Sequence, residues 1–202
     1  MKKINFLRLT IVLTALYLAF CVITYAKTAQ ENIASSVLRL HIIANSNSKY
    51  DQSLKLLVRD RILKEAGFLF DGSVSLSDAK KIATENISFL EKTAKNVLIE
   101  NGSFDSVTVK ISKEAFPVKF YGDIMLPSGR YDAVRIVIGE GKGENWWCVL
   151  YPPMCNIENL TMDSGKDKLK KSLSKDEYRM ISSSSTDAKI RFKIVDMINS
   201  VL

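Results

Sequence analysis

An apolar run without a charge extends from Leu9 to Ala26, and every later segment interleaves apolar with polar positions. The run is 18 residues long, at the lower end of what crosses a bilayer, where about 20 are needed. Val37 to Ala44 predicts a strand with Arg39, His41 and Ile43 on one face and Leu38, Leu40, Ile42 and Ala44 on the other. A polar turn, Asn45 to Ser48, follows. Leu54, Leu57, Val58, Ile62, Ala66 and Leu69 then recur at helical spacing and predict a helix from Lys49 to Phe70. Ser48-x-x-Asp51 can cap its start, and Asp71-Gly72 ends it. Ser75-x-x-Asp78 opens a second helix, which runs to about Glu100 with Ala79, Ile82, Ala83, Ile87, Leu90, Ala94, Val97 and Leu98 as its stripe. Asn101-Gly102 suits its C-terminal cap.

The period then changes from helix to strand. Val107, Val109 and Ile111 alternate with polar residues, Phe116 to Tyr121 makes a short strand, and Pro127-Ser-Gly129 makes a turn. Arg130 to Ile138 and Trp146 to Tyr151 are two more strands, joined by a glycine-rich segment from Gly139 to Gly143 that reads as a hairpin turn. The expected class is α+β: an antiparallel sheet, joined by the first strand and covered on one face by two helices, plus a C-terminal helix. Residues 27–155 form the domain. Residues 156–187 read as a polar connection rich in lysine and serine. Residues 188–202 hold the last helix, with Ile190, Ile194, Met197 and Ile198 on one side.

Charge adds the topology. Lys2, Lys3 and Arg8 precede the apolar run, so 1–26 is a signal peptide or a membrane anchor, with the rest of the chain on the far side. Thr24-Tyr-Ala26 is an imperfect cleavage site, so cut and uncut forms stand equal. Leu18-Ala-Phe-Cys21 resembles a lipobox, but Phe20 is too large for it, and an apolar thiol in a membrane segment is the favoured reading. Without 1–26 the chain keeps 26 basic and 22 acidic side chains. That mild excess does not call for nucleic acid. Lys166, Lys168, Lys170, Lys171 and Lys175 read as a solvated face ahead of an anionic-lipid or cell-wall contact.

Candidate chemistry is sparse. Cys148 and Cys155, both on the oxidising side, read as a structural bridge, as free thiols or as a reactive site. A bridge would close a loop worth about 2.5 kcal/mol. Too few Cys and His remain for a metal set. His41, the only histidine, is expected to be neutral beside Arg39 and bonded to Asn45, Ser46 or Asp60. A partner contact is its second reading and a catalytic base its weakest. Asn45-Ser-Asn-Ser48 serves as a helix-capping turn or as a recognition loop. Asp51, Gln52, Lys55 and Arg59 are expected on one exposed helix face, as an ion-pair ladder or a partner surface; if exposed, Gln52→Ala and Lys55→Ala leave stability unchanged. Arg59 and Asp60 are candidates to hold the first strand through His41 or Arg39. Gly139-x-Gly-x-Gly143 lacks the features of a phosphate loop. Asp123, Asp132, Glu140 and Glu144 are weak candidates for a glycosidase pair.

The stretch Val37 to Leu63, with Arg39-x-His41, Ala44-Asn-Ser-x-Ser48, Asp51-Gln52, Lys55 and Val58-Arg-Asp60, resembles the signature of the stage II sporulation protein R family. Gly139 to Cys155 resembles its second block, and Lys189-Ile-Arg-Phe-Lys-Ile-Val-Asp matches again. The family carries the Cys148 and Cys155 pair, which supports the bridge. The resemblance implies an exported, non-enzymatic signal with no cofactor, made in the forespore and released into, or anchored beside, the forespore intermembrane space. Its implied partner is a membrane-embedded aspartic protease of the facing mother-cell membrane, which processes a sigma-factor precursor; residues 9–26 would be its tether. Arg39, His41, Asn45, Ser46, Ser48, Asp51, Gln52, Lys55, Arg59 and Asp60 are the partner-binding candidates. The alternatives are an extracytoplasmic cell-wall hydrolase and a wall- or membrane-binding module.

Overall fold

In a computed structural model, residues 2–70, 75–154 and 162–182 are described. The first strand, β1 (Leu38–Ile43), is buried at all six positions. Burial on both faces explains its nearly continuous apolar character. It lies inside a four-stranded sheet of order β2-β5-β1-β6, with β2 (Val107–Phe116), β5 (Gly129–Ile138) and β6 (Asn145–Tyr151). β1 runs parallel to β5, with His41 beside Arg135, and antiparallel to β6, with His41 opposite Trp147. β2 pairs antiparallel with β5 along its whole length.

The α+β class and the membership of the first strand in the sheet are as expected. The sheet is mixed, however, because β1 enters between β5 and β6. For the same reason the segment after Ile138 is not a hairpin between neighbours. It arches over the end of β1, which separates the two strands that it joins.

Helices cover one face. α2 (Lys49–Ala66) continues as a 3-10 turn, Gly67–Phe70, and is followed by α3 (Leu76–Glu85) and α4 (Ile87–Glu100). Ser75 caps α3 by accepting from the Asp78 N–H, and Ser48 accepts from the Asp51 N–H. The expected second helix is broken at Asn86, whose side-chain amide donates to the Ile82 carbonyl at 2.8 Å. That bond satisfies a carbonyl at the end of α3 and lets the backbone turn. Leu54, Val58 and Ile62 pack with Leu40, Ile42, Leu90, Val97 and Leu98 in the main core. Leu57, expected on that stripe, stays 43% exposed, because the buried positions follow the four-residue spacing of 54, 58 and 62.

The opposite face has its own cover. The hairpin β3 (Lys119–Tyr121) and β4 (Ile124–Leu126), the last turns of α1 (Lys2–Ala34), and the helices α5 (Met162–Ser172) and α6 (Lys175–Ser182) form it. Ile33, Phe116, Ile124, Leu126, Tyr131, Val149, Leu169 and Ile181 make this second core. The stretch read as a polar connection therefore contains two packed helices; Leu169 and Ile181, set among lysines, are fully buried. Lys166 reaches Asp123 at 2.5 Å, and Lys168 lies over the Tyr151 ring. The last helix expected at 188–201 lies outside the described residues. α1 does not stop at residue 26 but continues as helix to Ala34.

Candidate functional site

The polar turn after β1 is a knot that ties three segments together. Asn45 Oδ1 accepts from the Glu140 N–H at 2.9 Å, and the Asn45 carbonyl accepts from the Lys142 N–H at 3.0 Å. The Gly143 N–H donates to the Ala44 carbonyl, and the Glu144 N–H to Asn47 Oδ1. The glycines make this approach possible. Gly139 has φ +56°, and a Cβ there would strike the Asn45 amide; one on Gly143 would strike the Ser46 carbonyl. From the helix side, the Asp51 carboxylate accepts from Asn45 Nδ2 at 3.2 Å and from Ser46 Oγ at 2.5 Å. Gln52 Nε2 donates to the Ser46 carbonyl, and Lys55 Nζ donates to Gln52 Oε1 at 2.6 Å and to the Glu144 carbonyl at 3.0 Å.

This corrects the expectation of an exposed polar face. Asp51 is 8% exposed and Lys55 4%. Their polar ends are turned toward loop groups that would otherwise be unsatisfied. Burial lowers the Lys55 pKa, with the Glu144 carboxylate opposing that shift. Ser48, by contrast, is exposed and acts as the helix cap.

Arg39 and His41 lie on the opposite face, as the alternation predicted. The Arg39 side chain is fully buried in an aromatic cage. Its guanidinium carbon is 4.1 Å from the Phe116 ring centre, 4.8 Å from Tyr131 and 5.7 Å from Tyr121. Nη2 donates to the Tyr121 hydroxyl at 2.6 Å, while Nε and Nη1 have no partner among the described residues. Burial lowers the Arg39 pKa; the Tyr121 and Tyr131 oxygens oppose it.

The His41 ring stacks on Trp147 at 3.9 Å between centres, and Nε2 meets Asn145 Oδ1 at 2.7 Å. The expected partners Asn45, Ser46 and Asp60 are not used. Nor do Arg59 and Asp60 hold β1: they pair with each other at 2.6 Å, with the Arg59 guanidinium over the Trp146 ring on the other side of the sheet. Strand alternation in β6 sends Trp146 and Trp147 to opposite faces. Asn145, Trp147, Phe116, Tyr121 and Tyr131 complete the site and were not anticipated. The aromatics at 116, 131 and 147, each on a strand, were the only available signal.

Burial lowers the His41 pKa, reinforced by the positive charge of Arg135 and opposed by the bond to Asn145 and the charge of Glu114. The unfolded chain therefore binds a proton at a higher pH than the native one. Stability from this group is complete above the unfolded value, about 6.5, and is lost as the pH falls toward the native value. Thermal unfolding at pH 7.5 and 5.5 should show a larger acid loss in the wild type than in His41→Gln. With a single histidine in the chain, equal losses would refute the assignment.

Cys148 is buried, and Cys155 lies outside the described residues. Three of the four candidate glycosidase carboxylates are ion-paired with separate lysines: Asp132 with Lys80, Asp123 with Lys166 and Glu140 with Lys142.

β1, the Asn45 turn and the Gly139 segment all fall within a match to a known family, Stage II sporulation protein R (spore_II_R), over residues 34–161. The chain belongs to this family. Stage II sporulation protein R of Bacillus subtilis (strain 168) is 34% identical over 149 residues, 74% of this chain and 66% of that protein. The chain thus spans just under two thirds of that relative's length. No solved structure matches. The family match covers β1 to β6 with α2, α3 and α4, and leaves out the apolar part of α1. A sporulation role follows from membership, and α1 has the length and composition of a signal peptide or membrane anchor.

Proposed function

We propose that the chain is an exported sporulation signal from the forespore that activates a membrane-embedded aspartic protease of the mother cell, which then cleaves a sigma-factor precursor. Family membership over residues 34–161 is the observation that carries this reading. The geometry of His41 supports a non-enzymatic role: its ring is stacked on Trp147 and its Nε2 is engaged by Asn145, so both are part of the packing. A signal of this kind acts only through a difference in affinity for the two states of its target. Residues 9–26, kept as an anchor, would raise its effective concentration in a narrow gap.

Co-expression with the protease and the precursor in a non-sporulating host tests the proposal. Processing is expected only when all three are present. Processing that is independent of this chain would sink it.

The same reading places the domain in an oxidising compartment, and we propose that Cys148 is bridged to Cys155. Non-reduced peptide mass spectrometry of exported protein should show the link, whereas two alkylatable thiols would rule it out. Reduction should lower stability by about 2.5 kcal/mol on the loop-entropy estimate.

A further inference from the structure

Helix α1 reaches the domain without a linker. Its side chains at Phe6, Tyr17 and Tyr25 are exposed, whereas Ala29, Gln30, Ile33 and Ala34 are buried in the domain. Residues 6–25 rise about 30 Å, the thickness of a hydrocarbon core. A bilayer around them would end about one turn before the buried residues, near Lys27.

The direction of approach is set by two contacts. Gln30 lies against Gly129 at the start of β5, so closely that a Cβ there would collide with its amide. Farther along, Arg39 is level with Ala133. The chain therefore climbs from the level of Gly129 to that of Ala133, the direction in which β5 and β1 both run. An α1 that enters along this direction puts their C-terminal ends at the far end from the membrane. β5 has ten residues, which at about 3.3 Å each places that end about 30 Å beyond Gly129.

Three loops meet there: the Asn45 turn, the Gly139 segment and the connection before β2, since Val107 pairs with Ile138 and the Gly139 N–H donates to the Ser106 carbonyl. Between them lies a polar cleft of about 540 Å³ bordered by Asn45, Ser46, Asp105, Ser106, Glu140 and Lys142. Ser106 also borders a neighbouring groove with Phe104. Phe104 is 82% exposed, the most open large apolar side chain among the described residues. Tyr50, 49% exposed, stands at the same end with its hydroxyl on the Asn101 carbonyl. A lone exposed ring is ordinary; one beside a polar cleft, at the end carried farthest from the anchor, has the composition of an interface centre.

We infer that Phe104 and this cleft receive the partner: a polypeptide loop of a protein in the facing membrane, with an apolar side chain against Phe104 and hydrogen-bonding groups in the cleft. The partner's location rests on the proposed function. α1, kept whole, is the stalk that presents the surface.

The test uses the full chain in vesicles. In a Cys21→Ser background under non-reducing conditions, fluorophores on Arg130→Cys and Lys142→Cys are compared by energy transfer to labelled headgroups. Lys142→Cys should lie farther from the bilayer by about 30 Å; equal distances overturn the orientation. With protease in a second set of vesicles, Phe104→Ala and Lys142→Ala, both exposed side chains, should lower both binding and activation about tenfold or more without a change in unfolding temperature. Arg130→Ala, at the near end, should stay within about twofold of wild type. Normal binding and activation by Phe104→Ala overturns the surface and leaves the proposed function standing. Wild-type binding without activation sinks the function, while the binding arm still judges the surface. An equal loss on protein-free vesicles assigns Phe104 to lipid and overturns the inference.

Discussion

Replacing Arg39 by alanine is expected to destabilise the domain by about 3 kcal/mol, whereas replacing it by methionine is expected to cost less than about 1 kcal/mol or to stabilise. The alanine variant empties a fully buried site among Phe116, Tyr121 and Tyr131, and large-to-small changes in a core cost about 2–5 kcal/mol. Methionine refills most of that volume. It also removes a buried charge and two donors that have no partner among the described residues. Exchanging buried ionic groups for apolar ones of similar volume is often neutral or stabilising. For a domain of this size the alanine variant should melt about 6–12 °C lower. If methionine is as damaging as alanine, the guanidinium bond to Tyr121 and the cation–π contacts, rather than the volume, hold this face together. If methionine folds well but fails to signal, Arg39 is retained for function.

The second large effect is expected on the helix side of the knot. Lys55→Ala leaves the Gln52 Oε1 and Glu144 carbonyl acceptors without their donor in a place with little solvent access. Asp51→Ala does the same to the donors of Asn45 and Ser46. Leaving a buried polar group unsatisfied costs about 1–3 kcal/mol, so each variant should melt about 2–12 °C lower. Their effects should not add, because both act on one hydrogen-bonded unit. A double variant scored by thermal unfolding checks this. A shift below about 1 °C in either single variant would mean that these side chains act as a solvated surface after all. The earlier expectation, that Lys55→Ala is silent in stability, came from treating helix positions 51, 52, 55 and 59 as outward-facing.

Local chemistry sufficed for much of the chain. Period alone located α1, α2, β1, β2, β5 and β6 and the two faces of β1, because alternation sends Arg39 and His41 one way and Leu40 and Ile42 the other whatever lies around them; it missed β4, α5 and α6 and the break between α3 and α4. Caps at Ser48 and Ser75 were readable because they act within three residues. The two signature blocks carried the family. Order in space was different. That β1 enters between β5 and β6 is a long-range pairing choice, and it alone turns the Gly139 segment from a hairpin into a strap over Asn45. Lys55 looked solvated because the loop that accepts its ammonium lies 89 residues away in the chain, and Asp51 because the turn before the helix folds back onto its carboxylate. Leu169 and Ile181 looked incidental among lysines until the second face of the sheet required a cover. A sequence records which side chains are apolar and at what spacing; which backbone groups they must satisfy, and which surface ends up far from the membrane, is decided only when the strands have chosen their neighbours.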